Sequence, residues 1–511
     1  MDRFARQRGL VRQDKVADLK IAIIPSKSMP EAFFEGLTLL AGHLGVLDFP
    51  VAASRAEFTI HWPEDDELDD LPFSSIHASY GEDGVFLDGS SRKKPCHPMY
   101  NTALSTICSS LVWSEVLRRS GCYLPIEVPK VSVSVNVRVN ENALYSNLNK
   151  LDVRLEGHNA SINVRETSDG SSHRRILLRL DDDDPIAQQL VERLCISAID
   201  EKLEPQCPVL RLDLPPPHLA LAGHITVVGA GGLGTWCLHN LVNGIKKSNH
   251  SSIAFLVFDK DLEVEEHNLN RQVLFTKKDV GSSKISATRR WLQDQLADAS
   301  VEVAWELTDS LALDEYSPAE GGLDLDSLLE QIPEATETDI APLSVEQTLP
   351  LLKATDAIIG CLDAMRPRVL SDFLAAKINQ PYINGGVRHF VAEYREFADT
   401  NLVERYGPKV AQDRKVFSCQ EDGEVPMTSI VLTNAYAGAF QAIAALQRLG
   451  GRQKSTIEST YWNAHSNEVY VTEATANEVE RQLHVQMLEQ ALWPMSSKTE
   501  SEQSESLTAG V

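Results

Sequence analysis

The sequence predicts an α/β protein whose second half binds a nucleotide. Three observations support this prediction: an apolar, β-branched run at 224–234 that ends in clustered glycines, a second run at 252–258 that ends in Asp259, and a third at 356–361 that leads to Asp363. Short apolar runs that alternate with helical patterns are typical of parallel strands joined by helices. We therefore expect a Rossmann-like sheet with polar residues at the carboxyl ends of its strands.

The composition is that of a globular protein. The chain has 511 residues, 43% of them hydrophobic, which is enough for two or three domains with their own cores. Its net charge of −25 would repel nucleic acid and anionic membranes. No run approaches the roughly 18 apolar residues of a membrane span, and residues 1–4 lack the apolar core of a signal peptide. We expect a cytoplasmic protein that binds neither nucleic acid nor membrane.

The spacing of the cysteines does not indicate a structural metal site. The chain has eight, at positions 96, 108, 122, 195, 207, 237, 361 and 419. No Cys-x-x-Cys pair occurs among them, so no structural zinc is expected. Scattered cysteines also suit a reducing compartment.

Four glycines follow the first apolar run: Gly229, Gly231, Gly232 and Gly234. Glycine lets the backbone turn sharply and approach an oxygen-rich ligand, and the helix that follows offers free N–H groups and the positive end of its dipole. We therefore expect this loop to bind nucleotide phosphates. Asp259, roughly 30 residues further on, falls where a ribose-binding carboxylate lies in such folds. On its own this pattern favours a nicotinamide or flavin dehydrogenase.

The segment after Asp259 favours a different chemistry. It contains Asn268, Arg271 and Gln272, with Lys284 further along. Arg271 and Lys284 would place two cations near the phosphates, which suits the charge that develops on a leaving pyrophosphate. A hydride-transfer site needs an open nicotinamide pocket instead. The sequence therefore indicates cleavage between phosphates.

Five short motifs carry a family resemblance. They are Gly-x-Gly-Gly-x-Gly at 229–234, Asp-x-Asp at 259–261, Asn-Leu-Asn-Arg-Gln at 268–272, Gly-x-x-Lys at 281–284 and Cys-Leu-Asp-Ala-Met-Arg at 361–366. Together they resemble the adenylation domain shared by ubiquitin-activating enzymes and the ThiF/MoeB sulfur-carrier adenylyltransferases. The resemblance implies two Rossmann-like (ThiF-type) halves and ATP with Mg²⁺ as cofactors. The missing Cys-x-x-Cys pairs favour the branches without structural zinc.

The resemblance also assigns roles to residues. It implies that Asp259 holds the ribose and that Asp363 positions the magnesium ion. Asp261 is assigned to the nucleotide with less weight, because the loop after Asp259 is longer than usual. The residues implied to surround the phosphates are Asn268, Arg271, Gln272 and Lys284.

The sequence pattern of the first half indicates a degenerate copy of the second half. Apolar residues 19–24 and a helical run at 31–43 flank Pro-Ser-Lys-Ser-Met-Pro at 25–30, where the second half has its glycines. Side chains and prolines at this turn would prevent close approach to a phosphate. An unrelated α/β domain is the alternative. Strands are also expected at 131–139, 152–156 and 176–180.

We divide the chain near the three prolines at 215–217, which are typical of a linker. Residues 1–215 form an inactive adenylation-like domain in this division. Residues 216–495 form the active adenylation domain, and the Ser/Glu-rich residues 496–511 form a disordered tail.

The N-terminal segment contains Arg-Phe-Ala-Arg-Gln at 3–7. In isolation it is typical of a solvated amphipathic turn. The resemblance implies that its second arginine, Arg6, reaches the ATP bound by the opposite half of a dimer, where an added cation accelerates phosphoryl chemistry. Because both halves lie in one chain, we expect a pseudo-dimer that can act as a monomer.

Cys419 is the candidate nucleophile. It lies in a polar loop ahead of the apolar helix at 430–449, whereas Cys237 and Cys361 lie in apolar elements that indicate structural roles. The resemblance implies that Cys419 forms a thioester from the acyl adenylate. Nearby basic residues would favour its thiolate and nearby acidic residues would oppose it, so the residues alone leave this open.

The functional hypothesis is activation of a ubiquitin-like protein by adenylation, thioester formation on Cys419 and transfer to a conjugating enzyme. The compact plan resembles bacterial activating enzymes of phage-defence operons, which implies a role in antiviral defence. Two alternatives remain: a sulfur-carrier adenylyltransferase without a thioester, and a non-catalytic nucleotide-binding scaffold.

Overall fold

The computed structural model describes most of the chain. The described residues are 4, 7, 10–62, 74–87, 95–124, 133–137, 152–156, 159–165, 173–179, 209–259, 263–304, 345–398, 400–412, 429–473 and 481–492. Three residues expected in the site, Arg6, Asp261 and Cys419, lie outside these ranges. The expected tail at 496–511 lies outside them as well.

The first half contains a mixed sheet. Its strands, in spatial order, are β1 (Ile21–Ile24), β2 (Phe58–His61), β3 (Ser75–Gly81), β4 (Gly84–Leu87) and β9 (Val209–Arg211). The first three are parallel, and β4 and β9 add antiparallel partners. Its helices are α1 (Gln13–Asp18), α2 (Glu31–Leu44) and α3 (Asn101–Arg119). The expected strand, proline-containing turn and helix at 19–43 are confirmed as β1, its following turn and α2.

A four-stranded antiparallel sheet follows α3 in the chain. Its spatial order is β5 (Val133–Val137), β8 (His173–Arg179), β7 (Asn159–Arg165) and β6 (Asp152–Glu156). The three strands expected from the sequence correspond to β5, β6 and β8. The sequence analysis missed β7, although Ala160, Ile162 and Val164 alternate with polar residues as in a half-buried strand.

The second half is built on an eight-stranded sheet. Its strands are β10 (Leu221–Val228), β11 (His250–Phe258), β12 (Ser300–Ala304), β13 (Ala357–Gly360), β14 (Tyr382–Arg388), β15 (Val391–Phe397), β16 (Ile457–Asn463) and β17 (Glu468–Glu473). The spatial order is β12, β11, β10, β13, β14, β15, β16, β17. Strands up to β14 are parallel, and the remaining pairs are antiparallel. The expected Rossmann-like α/β fold is confirmed.

Helices cover this sheet on both faces. They are α4 (Gly232–Lys246), α5 (Lys284–Gln295), α6 (Val345–Lys353), α7 (Met365–Lys377), α8 (Leu402–Tyr406), α9 (Val431–Leu449) and α10 (Arg481–Leu492). One core cluster joins α4 and α9 with α3 of the first half, and a second joins α7, α8 and α10 on the opposite face. Within the described ranges, none of the helices has the length and hydrophobicity required to cross a bilayer.

Helix α9 lies at the centre of the molecule. Nearly all of its residues are buried, and it packs against α3, α4 and the strands β14 and β15. Tyr436 contacts Trp462 with ring centroids 4.7 Å apart, and Phe440 stacks on Tyr394 at 5.7 Å. Each such aromatic side chain contributes about 1.5–3 kcal/mol through burial. This helix therefore holds the two halves against one another.

The strand order reverses between β10 and β13. The chain passes from β10 outward to β11 and β12, and then returns to β13 on the other side of β10. Val228, the last residue of β10, is paired with Phe258 and with Gly360, the last residues of β11 and β13. Loops diverge at such a point and leave a crevice at the carboxyl ends of the strands. The expected site residues Gly229, Asp259 and Asp363 all follow these strand ends.

Candidate functional site

The glycine loop turns as tightly as its sequence predicts. Gly229 has φ +100°, and a Cβ at this position would lie 2.6 Å from the carbonyl oxygen of Cys361. A Cβ on Gly234 would lie 1.9 Å from the carbonyl oxygen of Gly229. Gly231 differs, because no described atom outside its chain neighbours and the adjoining helix backbone lies within 4 Å of the position of its Cβ. The loop is therefore packed on its inner side and open at Gly231.

Helix α4 begins at the open side of this loop. Gly231 is its N-cap and supplies no side-chain cap for the first N–H groups of the helix. These N–H groups and the positive end of the helix dipole suit a phosphate. The loop is thus a cradle that an oxygen-rich anion fits.

Asp259 lies beside the glycine loop. One oxygen of its carboxylate accepts a hydrogen bond from the backbone N–H of Ala230 at 2.5 Å. The bond ties the end of β11 to the loop that follows β10. This places a partly exposed carboxylate next to the phosphate cradle, where a ribose hydroxyl can donate to it. Its role as the ribose-binding residue stays a prediction.

Asn268 stabilises the 3₁₀ turn Glu266–Asn270. Its side-chain oxygen accepts a hydrogen bond from the N–H of Glu265 at 3.1 Å, and the Glu265 side chain accepts from the N–H of Asn268. This reciprocal cap satisfies two backbone donors. Nδ2 of Asn268 lies 3.1 Å from Nε2 of His267. The described contacts of Asn268 therefore hold the turn, and its predicted contact with the phosphates remains a prediction.

Arg271 is held against the glycine loop. The residue is 7% exposed, and Nη1 donates to the carbonyl oxygen of His267 and to Oδ1 of Asn270, both at 3.3 Å. A Cβ on Gly232 would lie 3.3 Å from Cγ and Cδ of Arg271. Because a guanidinium keeps its charge when buried, Arg271 supplies a fixed cation beside the cradle. The structure thus brings together Arg271 and the loop, as the sequence predicts.

Two buried polar atoms near Arg271 fit a polar ligand. Oε1 of Gln272 and Nδ2 of Asn270 have no hydrogen-bond partner within the described part of the chain, although both side chains are almost fully buried. An unpaired buried polar group costs about 1–3 kcal/mol. A nucleotide with its donors and acceptors would satisfy both atoms. The residues present therefore fit ATP.

Lys284 is the first residue of α5. The preceding Ser283 caps the helix by accepting from the N–H of Ser286 at 3.4 Å. The N–H of Val264 donates to the carbonyl oxygen of Ser282 at 2.8 Å, so the start of α5 is anchored to the segment that follows Asp259. Lys284 is half-buried there. Its predicted contact with the phosphates stays a prediction.

Asp363 is exposed three residues beyond β13. The turn that presents it is held by Arg368, which donates from Nε to the carbonyl oxygen of Leu362 at 2.9 Å. No group of three or more acidic, histidine or cysteine side chains that could hold a metal occurs in the described ranges. Magnesium is coordinated in many nucleotide sites by one or two carboxylates with phosphate oxygens. A single exposed carboxylate at this position fits a magnesium ion that nucleotide phosphates also bind, and the role of Asp363 stays a prediction.

Arg366, the last residue of the 361–366 motif, has a different place. Its Nη1 donates to the carbonyl oxygens of Ala411 and Leu492, at 3.1 and 3.2 Å. Ala411 lies just before residues 413–428, which include Cys419. Arg366 therefore connects the strand end that presents Asp363 with the start of the segment that carries Cys419.

Sequence reasoning missed two polar residues of α9. Oδ1 of Asn434 would lie 2.7 Å from a Cβ on Gly232, so its amide covers the beginning of α4. Gln441 donates from Nε2 to the carbonyl oxygens of Gly360 and Ile383, at 2.8 and 3.1 Å. The two residues are seven apart, which places them on one face of the helix. Amide side chains at this spacing within an apolar helix were the available signal.

Cys237 and Cys361 are buried, as their apolar surroundings predict. Burial raises the pKa of the Cys237 thiol well above its usual value, and the neighbouring Cys361 raises it further. The S–H group of Cys361 donates to Oε1 of Gln441 at 3.3 Å. A neutral, buried thiol is a poor nucleophile. The surroundings of Cys237 therefore disfavour a nucleophilic role, and the structural role expected for both cysteines stays a prediction.

The fold and this site define an α/β protein in which the glycine loop, Asp259 and Arg271 meet where the strand order reverses between β10 and β13. Residues 219–484, slightly more than half of the chain, match the model of the ThiF family. The chain belongs to the ThiF family.

One relative is the sulfur carrier protein adenylyltransferase of Thermus thermophilus. It is 25% identical over 234 residues, which cover 44% of this chain and 69% of that protein. Together with family membership, this relative supports adenylyl transfer as the general activity.

Solved structures with a similar chain path include MccB from E. coli. In complex with MccA-N7isoASN, it has a TM-score of 0.31 and 17% identity, and the similarity covers 50% of this chain and 66% of MccB. MccB with AMPCPP and MccA has a TM-score of 0.30 and 18% identity, covering 50% and 65%. PaaA has a TM-score of 0.32 and 17% identity, covering 49% and 72%. The chain thus spans about two thirds of the length of MccB.

Proposed function

We propose that the protein activates a ubiquitin-like protein by adenylating its C-terminal carboxylate with MgATP. The observation that carries this proposal is the meeting of the glycine loop, Asp259 and Arg271 at the switch point between β10 and β13. A cradle for phosphates, a carboxylate for the ribose and a buried cation are the parts that adenylyl transfer requires.

The proposed reaction is a displacement at the α-phosphate. An oxygen of the carrier carboxylate bonds to the α-phosphorus, the bond to the bridging oxygen breaks, and pyrophosphate leaves with the electron pair. Arg271, Lys284 and the N-terminus of α4 would stabilise the developing negative charge. Magnesium, when bound beside Asp363, supplies further charge neutralisation. The residues of the chain therefore bind the nucleotide, orient its α-phosphate and neutralise the charge that develops on the pyrophosphate.

We propose Cys419 as the acceptor of the activated carrier. Its thiolate would attack the acyl adenylate, forming a thioester and releasing AMP. The ends of segment 413–428 support this role. Ala411 is bound by Arg366 after β13, and the N–H of Ile430 donates to the carbonyl oxygen of His389 after β14 at 3.3 Å. The segment thus departs and returns at the edge of the sheet where the adenylate would form.

We propose Arg6 as a further cation at this site. Its neighbours Phe4 and Gln7 lie against the first half: the Phe4 ring is 2.6 Å from where a Cβ on Gly45 would be, and Gln7 is almost fully buried. Gly45 follows α2, whose His43 contacts the 3₁₀ turn Glu266–Asn270. An arginine in this segment would add a cation from the first half to the nucleotide site of the second half.

The decisive experiment for the proposed function combines pyrophosphate exchange with a non-reducing gel. With MgATP and its carrier, the protein should exchange pyrophosphate into ATP and give a heavier band that reductant removes. Cys419→Ala should lose the band and keep the exchange, because the thiol acts only after the adenylate forms. Cys237→Ala is the matched control and should keep both.

The alternatives are distinguished by the same experiment. Exchange without any reductant-labile band, using a sulfur carrier, would favour the sulfur-carrier adenylyltransferase. Failure to exchange with either class of carrier would favour a non-catalytic scaffold. Transfer of the labile carrier to a conjugating enzyme and a role in antiviral defence are further parts of the proposal, and the products of neighbouring genes would test them.

A further inference from the structure

His43 of the first half contacts the 3₁₀ turn Glu266–Asn270 of the second half. It lies in the last turn of α2 and is 8% exposed. Its Nδ1 lies 3.1 Å from the carbonyl oxygen of Leu269. Because a carbonyl oxygen only accepts, Nδ1 must carry the proton of this hydrogen bond. The bond thus crosses from one half of the chain to the other.

Leu269 occupies a sensitive place in that turn. It lies between Asn268, which caps the turn, and Arg271, which provides the buried cation. Two acceptors of the turn, the carbonyl of His267 and Oδ1 of Asn270, hold the Arg271 guanidinium. The Leu269 carbonyl is held by His43 instead. The position of the cation therefore depends on a turn that the first half fixes.

The imidazole of His43 also contacts the helix that follows the glycine loop. Its ring meets Trp236 of α4 edge-on, with centroids 5.7 Å apart. His239 faces it from the same helix, and burial, reinforced by His43 and Lys246, lowers the pKa of His239 to about 4. His239 is therefore neutral near pH 7, so it adds no positive charge beside the hydrogen bond between His43 and Leu269. His43 therefore contacts both the 266–270 turn and the helix that follows the glycine loop.

We propose that His43 is a positioning residue for ATP, through which the first half sets the nucleotide affinity of the second. The inference rests on the proposed function only in taking the glycine loop and Arg271 as the nucleotide site. Without the bond, the turn at 266–270 loses a buried hydrogen bond and gains freedom, so Arg271 is no longer held beside the loop. The first half is then part of the site and not only a structural partner.

The test measures binding of ATP with magnesium to the full chain by calorimetry, without any carrier. His43→Ala should weaken ATP binding about tenfold, which is the effect of one buried hydrogen bond. His43→Asn should recover most of the affinity, because the Asn amide nitrogen occupies the position of Nδ1. His43→Gln should behave as alanine, because its amide nitrogen occupies the position of Nε2. The carrier concentration for half-maximal exchange should not change in any variant.

Thr106→Val is the matched control. Thr106 of α3 donates to Oδ1 of Asn240 of α4 at 2.8 Å, which is also a bond between the two halves, but it has no contact with the 266–270 turn among the described interactions. It should lower the unfolding temperature and leave ATP affinity unchanged. The proposal is wrong if Thr106→Val weakens ATP binding as much as His43→Ala, or if His43→Asn is no better than alanine. A wild-type chain that does not bind ATP would overturn the proposed function itself.

Discussion

Gly231 and Gly234 should respond differently to the same added methyl group. The backbone at Gly231 has φ −79° and ψ −154°, which any residue can adopt, and no described atom lies within 4 Å of the Cβ position. Gly231→Ala should therefore fold with near wild-type stability, because the gain of about 0.4–1 kcal/mol from the lower entropy of its unfolded state is offset by the poorer N-cap that alanine makes for α4. At Gly234 the added Cβ would lie 1.9 Å from a backbone oxygen, well inside the roughly 3.5 Å of a favourable contact.

The effects on ATP should follow the opposite order to the effects on stability. In Gly231→Ala the methyl group enters the space in front of the α4 N-terminus, where a phosphate would accept backbone hydrogen bonds. Each hydrogen bond to a charged group contributes about 1.5–3 kcal/mol, so ATP affinity should fall about 10- to 100-fold. Gly234→Ala should lower the free energy of unfolding by about 1–3 kcal/mol or more through overpacking.

The assay pairs chemical denaturation with calorimetric titration of ATP and magnesium. The expected result is a Gly231→Ala protein with near wild-type stability and much weaker ATP binding. Wild-type ATP affinity in this variant would refute the reasoning, because it would mean that the open side of the loop does not face the phosphates. Gly121→Ala is no suitable control, since its φ of +64° strains any side chain.

Three further predictions follow from the same structure. Asp363→Ala should abolish carrier-dependent pyrophosphate exchange while the free energy of unfolding stays within about 0.5 kcal/mol of wild type, because the side chain is exposed; undiminished exchange would remove Asp363 from the magnesium site. Arg6→Ala should slow adenylation by one to several powers of ten, and normal rates would exclude it from the reaction. Burial raises the pKa of Asp372 to about 8. The N–H of Leu402 donates to its Oδ2 at 2.8 Å and lowers the pKa by a smaller amount. The folded state therefore binds more protons than the unfolded state between about pH 4 and 8, and stability should fall as pH rises through this window, by at most about 1.4 kcal/mol per pH unit. Asp372→Asn should have a flatter profile, and identical slopes for the two proteins would contradict the prediction.

The glycine loop and the strand ends were predictable because local residues determine them. Gly229 requires a positive φ, and Gly234 approaches a backbone oxygen, so both constraints act within a few residues. The apolar runs that became β10, β11 and β13 are buried on both faces and read clearly as strands.

The remaining contacts of the site depend on tertiary packing. His43, Asn434 and Gln441 are polar residues in helices, and nothing in their local sequence states which carbonyl or glycine they will meet. Their partners lie on segments distant in sequence, and only the packing of α2 and α9 brings them together. Arg366 is the opposite case. Its motif predicts a place in the site, but its guanidinium donates to the carbonyl oxygens of Ala411 and Leu492.

The contacts of α9 have a consequence for the order of folding. The amide of Asn434 covers the start of α4, and Gln441 binds the carbonyl groups of Gly360 and Ile383. During synthesis the glycine loop leaves the ribosome long before α9, so these long-range contacts close late. A nascent chain that ends before α9 should have the glycine loop without its cover. Because we expect ATP to need the covered loop, binding of ATP should begin only after synthesis has passed residue 449.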